Sequence, residues 1–296
     1  MSHQSIFQGA ATALITPTNG NEVDYPALKR LIEWQISETI DALVICGTTG
    51  EGSTLSMDEH KAVLEFAAET VAGRVPVIGG VGSNCTETAV DLCKTACAVG
   101  CDALLCVTPY YNKTTQKGLI AMYNTIADAS DKPIILYNVP SRTGVNIEPA
   151  TYAELVKHPM ITGIKEANGN ISKIVETIAL VGDQADVYCG NDDQIIPMLA
   201  CGSKGVISVL SNVLPRETAD MMRRYFAGDV KGAMELQIKY LPLIKALFSE
   251  VNPIPVKAAM AAMGFCSNTL RLPLVPMEEE HWQVLLNRMR EVGIKV

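Results

Sequence analysis

Along this chain, short uniformly apolar, β-branched runs alternate with longer stretches whose apolar positions repeat at helical spacing. The runs cover residues 11–16, 42–46, 75–80, 103–108, 134–138, 161–165, 187–190 and 205–209. None alternates cleanly between apolar and polar positions, the pattern of strands buried on both faces of a parallel sheet. The stretches between them, such as 25–36, 58–71 and 86–99, carry amphipathic helical periodicity. Eight strand–helix units in series predict an α/β fold, a (β/α)8 TIM barrel. An open doubly wound sheet would use fewer units and a Rossmann glycine fingerprint, which the sequence lacks.

Past Pro215 the pattern changes to helices only, over 217–226, 230–250, 255–263 and 278–292, punctuated by Pro253, Pro255, Pro273 and Pro276. The expected organisation is a catalytic barrel over 1–225 and a small C-terminal all-helical subdomain over 226–296. No low-complexity linker separates them, so one rigid unit is expected.

Composition narrows the class of protein. The chain has 296 residues, 48% of them hydrophobic, enough to bury a sizeable core. A net charge of −8 and a pI of about 5.1, with no basic run, argue against a nucleic-acid partner; the acidity reads as ordinary solubility. The first residues, Met1 to Gly9, carry neither a basic nor an extended apolar segment, and no stretch has the length of a membrane span. A soluble, cytoplasmic protein is the expectation. The nine cysteines are odd in number and dispersed, as buried thiols of a reducing compartment are. Cys93, Cys97 and Cys101 recur at helical spacing without a CxxC or a nearby histidine, a helix face rather than a metal site.

Active sites of such barrels lie at the C-terminal ends of the strands. Lys165, Tyr137, Thr48, Thr49, Tyr110, Tyr111 and Arg142 all fall there, whereas Lys132 and Lys204 fall at the opposite ends. A lysine at the end of a buried strand is pushed toward its free amine, the nucleophile of Schiff-base chemistry. Lys165 is therefore the sole buried nucleophile this sorting yields; the competing reading is a wall salt bridge to Glu166. Tyr137, at the matching end of the preceding strand, is a phenol able to move protons. Gly47-Thr-Thr-Gly-Glu51 reads either as an anion cradle of backbone N–H groups and hydroxyls or as a tight turn before a helix capped by Thr54 or Ser56. Gly79-Gly-Val-Gly-Ser83 reads as close backbone approach at the rim, not a phosphate site. Tyr110-Tyr111 suits a lid or an oligomer contact. Arg142 suits bidentate capture of a carboxylate, or simple solvation. His3, His60, His158 and His281 follow no strand, and no HExxH or ligand cluster is present, so no metal site is expected.

Gly47-Thr-Thr-Gly-Glu51, Tyr137-Asn-Val-Pro-Ser-Arg-Thr-Gly144 and Gly163-Ile-Lys-Glu-Ala167, in this order, resemble the pyruvate-dependent class I aldolase family. Thr108-Pro-Tyr-Tyr-Asn112, Gly205-Val-Ile-Ser-Val209, Asn252-Pro-Ile-Pro-Val-Lys257 and Leu270-Arg-Leu-Pro273 extend the resemblance over essentially the whole chain. Within the family, the motifs resemble those of the branch that condenses pyruvate with L-aspartate 4-semialdehyde on the diaminopimelate route to lysine. The resemblance implies an imine on Lys165 and a proton relay of Tyr137, Thr48 and a Tyr111 supplied by the neighbouring subunit. It also implies a pyruvate pocket with Thr49, Gly190 and Ile207, semialdehyde capture by Arg142, no metal or organic cofactor, and a homotetramer of tight dimers. His60, Asn84 and Tyr110 match a lysine-effector site, but Met57 and Thr88 stand where lysine-sensitive relatives carry histidine and glutamate, so weak or absent feedback is expected. The rival enzymes are N-acetylneuraminate lyase and 2-keto-3-deoxy-sugar-acid aldolases of the same superfamily; a rival of another class is a non-catalytic keto-acid or amino-acid sensor barrel. Arg142 and the Tyr110-Tyr111 pair favour the dicarboxylate-forming branch.

Overall fold

The computed structural model, which describes residues 5–296, closes eight parallel strands into a barrel in sequential order. The strands are β1 (Gly9–Ala13), β2 (Ala42–Ile45), β3 (Val77–Gly80), β4 (Ala103–Val107), β5 (Ile134–Asn138), β6 (Ile161–Glu166), β7 (Asp186–Cys189) and β8 (Gly205–Ser208). The helices that follow them are α1 (Tyr25–Ser37), α2 (Met57–Val71), α3 (Thr86–Ala98), α4 (Gln116–Asp128), α5 (Pro149–Leu155), α6 (Ile171–Val181), α7 (Ile195–Cys201) and α8 (Pro215–Phe226). The (β/α)8 architecture thus matches the periodicity. Boundaries moved where local chemistry intervenes. The first strand begins two residues earlier than expected, because the ladder closes where Gly9 faces Gly205. A Cβ at Gly205 would lie 1.9 Å from the Gly9 carbonyl oxygen, so only glycine closes the barrel there. Between β1 and α1 a two-residue hairpin, Thr18–Asn19 with Glu22–Val23, turns through Gly20 at a φ of 59°; the sequence pattern is too short to announce it.

Helix starts follow capping chemistry. Asp24 accepts the Ala27 N–H at 2.9 Å ahead of α1. Ser56, rather than Thr54, caps α2: its hydroxyl accepts the Glu59 N–H at 3.2 Å and Glu59 reaches back to the Ser56 N–H at 2.9 Å.

Two apolar clusters result. The barrel interior is filled by Ala11, Ala13, Val44, Ile78, Leu105, Ile135, Tyr188 and Ile207, and Phe7 stacks on Tyr188 at 4.3 Å to plug its floor. The larger cluster lies between strands and helices and runs without a break into the C-terminal helices α9 (Val230–Leu247), α10 (Ile254–Ala262) and α11 (Glu279–Glu291) through Leu243, Leu247, Met260, Leu285 and Met289. Helix α9 ends three residues short of the expected 250, and residues 248–252 leave it to reach the barrel mouth. Among the described residues, no helix is long and apolar enough to cross a membrane.

Candidate active site

Strand pairing sets Lys165 directly beside Tyr137, at the C-terminal ends of β6 and β5. The Lys165 Nζ stands 4.2 Å from the centroid of the Tyr137 ring, and both side chains are buried. Among the described residues no carboxylate comes within ion-pair distance of this amine. Burial pushes it down to about 8, against an opposing pull from buried Asp192 and a further downward push from Arg142. The competing salt bridge to Glu166 does not form, because successive strand residues face opposite sides of the sheet. Glu166 points outward, taking the Asn138 amide at 3.0 Å, the Tyr152 hydroxyl at 2.9 Å and the Asn168 N–H at 2.8 Å. Burial raises its carboxyl to about 7 despite these donors.

The loop after β2 forms the opposite wall. Its first and last residues, Cys46 and Glu51, are non-glycine residues with φ of 56° and 52°, each costing of order 1–3 kcal/mol. Close approach elsewhere leaves no alternative: a Cβ at Gly80 or Gly52 would come 2.3 Å from the Cys46 carbonyl oxygen. Thr48 lines the same cleft as the Tyr137 phenol; burial raises that phenol's pKa, with the Arg142 charge and the Thr48 hydroxyl pulling it back. Thr49 is buried and its Oγ1 accepts the Asn252 side-chain amide at 3.0 Å.

Lys165, Tyr137, Thr48, Thr49, Arg142 and Gly190 line one cleft of about 330 Å³, open at the barrel mouth. Arg142, on the one-turn helix Pro140–Thr143, is exposed at its rim, with Nη2 donating to the Asn252 carbonyl at 2.8 Å. Ile207 lies in the interior cluster with Tyr137 rather than on the cleft wall. Tyr111 is not brought to this cleft at all: it is 92% exposed, at a φ of 70°.

A second chamber of about 420 Å³ shares the wall Thr48–Tyr137–Arg142 and extends outward past Met57, His60, Thr88 and Tyr110. His60 is buried with Nε2 2.7 Å from the Gly80 carbonyl, and burial lowers its pKa. Asn84 lies apart, in a shallow groove with Asn112 and Lys113. His3 lies outside the described residues. Among the described residues, no three His, Cys, Asp or Glu side chains gather to hold a metal.

Two features escaped the sequence reading. Phe248, Glu250 and Asn252, from the helical C-terminal part, line the catalytic cleft. Lys165 is also not the sole buried lysine: Lys257 on α10 is fully buried, ion-paired to Glu51 and 3.2 Å from the Thr18 hydroxyl. The run Asn252-Pro-Ile-Pro-Val-Lys257 was the available signal, but apart from a family likeness nothing in it says that it docks on the β2 loop.

A buried amine without an ion-pair partner, beside a phenol at the mouth of a parallel barrel, defines a lyase of the (β/α)8 class. Comparison with known proteins gives the particular lineage. The pattern of the dihydrodipicolinate synthetase family matches residues 6–291, and the chain belongs to that family. It is 53% identical over 293 residues, 99% of both chains, to 4-hydroxy-tetrahydrodipicolinate synthase of Caldicellulosiruptor bescii. The crystal structure of dihydrodipicolinate synthase from Aquifex aeolicus superposes with a TM-score of 0.96 at 44% identity, covering 97% of this chain and 99% of that one. The chloride-inhibited dihydrodipicolinate synthase of Acinetobacter baumannii, solved in complex with pyruvate, superposes at 0.95 with 40% identity, covering 97% and 99%.

Proposed function

We infer that the chain has 4-hydroxy-tetrahydrodipicolinate synthase activity, condensing pyruvate with L-aspartate 4-semialdehyde on the diaminopimelate route to lysine. The observation that carries the reading is the unpaired, buried Lys165 amine in a cleft with Tyr137 beside it and Arg142 at the rim. The amine attacks the keto carbon of pyruvate and water leaves, giving an imine. Loss of a methyl proton gives an enamine, whose carbon attacks the aldehyde of the second substrate. The substrate's own amino group then displaces Lys165 and closes the ring.

Tyr137 and Thr48, which line the same cleft, pass protons in these steps. Tyr111 completes the relay from a neighbouring subunit; a phenol exposed at positive φ, next in sequence to the Tyr110 that lines a chamber opening onto Thr48 and Tyr137, supports that exchange. A dimer is then the least assembly that works, and a tetramer of two such dimers is the expected form. Thr49 and its loop receive the pyruvate carboxylate, with Gly190 and Ile207 shaping the pocket. Arg142 receives the semialdehyde carboxylate.

The second chamber, with His60, Tyr110 and the nearby Asn84, is the candidate lysine-effector site. No acidic side chain lines it, and Met57 and Thr88 occupy its wall, so lysine's α-amino group finds no carboxylate there. Weak or absent feedback follows, and micromolar inhibition in a lysine titration would overturn it.

The test is borohydride reduction with pyruvate, followed by mass spectrometry and a coupled assay. The expected result is an adduct on Lys165 and turnover with aspartate semialdehyde but not N-acetylneuraminate. Lys165→Ala should lose the adduct; Tyr137→Phe should keep it while turnover falls ~10²–10⁴-fold. An unmodified wild type, as a mere keto-acid sensor would be, refutes the reading.

A further inference from the structure

Both carboxylate receptors of the cleft are held by one residue that belongs to neither. Asn252 lies between α9 and α10, is 6% exposed, and lines the cleft. Its Nδ2 donates to Thr49 Oγ1 at 3.0 Å, and its main-chain carbonyl accepts from Arg142 Nη2 at 2.8 Å. Its Oδ1, though buried, has no hydrogen-bond partner in the protein. A buried acceptor left unpaired is uncommon and unfavourable. Stability alone would favour an apolar residue here, which points to a role in the site.

We propose that Asn252 is a positioning residue: its side chain orients Thr49, and its main-chain carbonyl orients Arg142, so a single residue sets the separation of the two carboxylate receptors. This rests on the functional reading above. The two contacts are chemically separable, because truncation to alanine removes the first and retains the second. Five residues further on, Lys257 holds the far end of the same loop through Glu51. The segment 252–257 therefore holds the loop at two points, Thr49 and Glu51, which keeps the effect of losing one amide local.

The experiment measures KM for each substrate, and the borohydride trapping rate, in wild type, Asn252→Ala, Thr49→Val and the double variant. Losing one neutral hydrogen bond to a positioning hydroxyl should raise the pyruvate KM about 10-fold in Asn252→Ala, while the semialdehyde KM stays within about two-fold. Thr49→Val, nearly isosteric, should reproduce the pyruvate effect, and the double variant should be no worse than the worse single one, since both changes break one contact. Thr49→Val and the Lys165 adduct keep the test open if Asn252→Ala fails to fold. An equal rise in both KM values, additive effects in the double variant, or no change overturns the proposal alone, provided wild type is trapped on Lys165. A wild type that is never trapped overturns the functional reading, and this proposal with it.

Discussion

Two lysines are buried among the described residues, and they do opposite things. Lys257 sits between α10 and the β2 loop, paired with Glu51 and hydrogen-bonded to Thr18, whose hydroxyl in turn bonds the Thr269 carbonyl. Lys165 sits at the end of β6 with no carboxylate within ion-pair distance among the described residues, and burial drives it to about 8 against the weaker pull of Asp192. Burial alone thus does not make a nucleophile. An ammonium given a carboxylate becomes a rivet, whereas one denied a carboxylate becomes an amine. The strand supplies the denial: its alternation turns Glu166, the acid next in sequence, to the outer face and into the hands of Asn138 and Tyr152.

The comparison breaks first at Lys257. Lys257→Met leaves Glu51 buried without its ion-pair partner, only the Arg271 N–H at 3.4 Å remaining, on a loop residue that already holds a positive φ. Breaking such a pair from one side costs about 3–5 kcal/mol. Denaturant unfolding should show that loss, and a Thr48–Thr49 loop no longer held should lower activity in parallel. A variant as stable as wild type would mean that the pair is no rivet.

The same substitution at Lys165 should act in the reverse direction. Its pKa in the fold lies below the ordinary lysine value of 10.5, so the unfolded chain binds the proton more tightly than the folded one. Between pH 8 and 10.5 wild-type stability therefore rises with pH; below about 8 both states are protonated and the penalty is present in full. Lys165→Met should consequently be more stable than wild type at pH 7, by about 1–3 kcal/mol, with the advantage fading toward pH 10.5. Thermal unfolding of the two proteins across that range checks it.

These contrasts also show what the sequence could convey. The barrel was legible because eight apolar runs with helices between them leave little choice of architecture, and Lys165 and Tyr137 because strand ends are where such barrels do chemistry. The hairpin through Gly20 was not legible, being two residues a side. Neither was the docking of Asn252 and Lys257 on the β2 loop: contacts spanning some two hundred positions depend on how α10 meets the barrel, and no local period encodes that. The Lys165–Glu166 pairing is open on adjacency alone, and the alternation of the strand closes it.

The pH dependence of catalysis sharpens the reading of Lys165 itself. With the amine at about 8, roughly a tenth is free at pH 7. The rate of borohydride trapping at low pyruvate should rise about tenfold per pH unit below 8 and level off above it. A plateau already reached near pH 6, or an inflection near 10, would show that burial does not set the nucleophile as described.

The smallest effect is the most discriminating. Glu51→Met combined with Lys257→Met removes both charges together, leaving no buried ion without a partner. A buried pair replaced by apolar side chains of similar volume is often neutral or better, and Thr18 keeps the Thr269 carbonyl as its partner. The double variant should therefore recover most of what Lys257→Met lost and unfold within about 1 kcal/mol of wild type. Turnover separates the two uses of the pair. If the ion pair only fastens the loop, the apolar pair fastens it too and the pyruvate KM stays near wild type. If the direction of Glu51 sets where Thr48 and Thr49 point, stability returns while that KM does not, and the rivet is then part of the site that Lys165 serves.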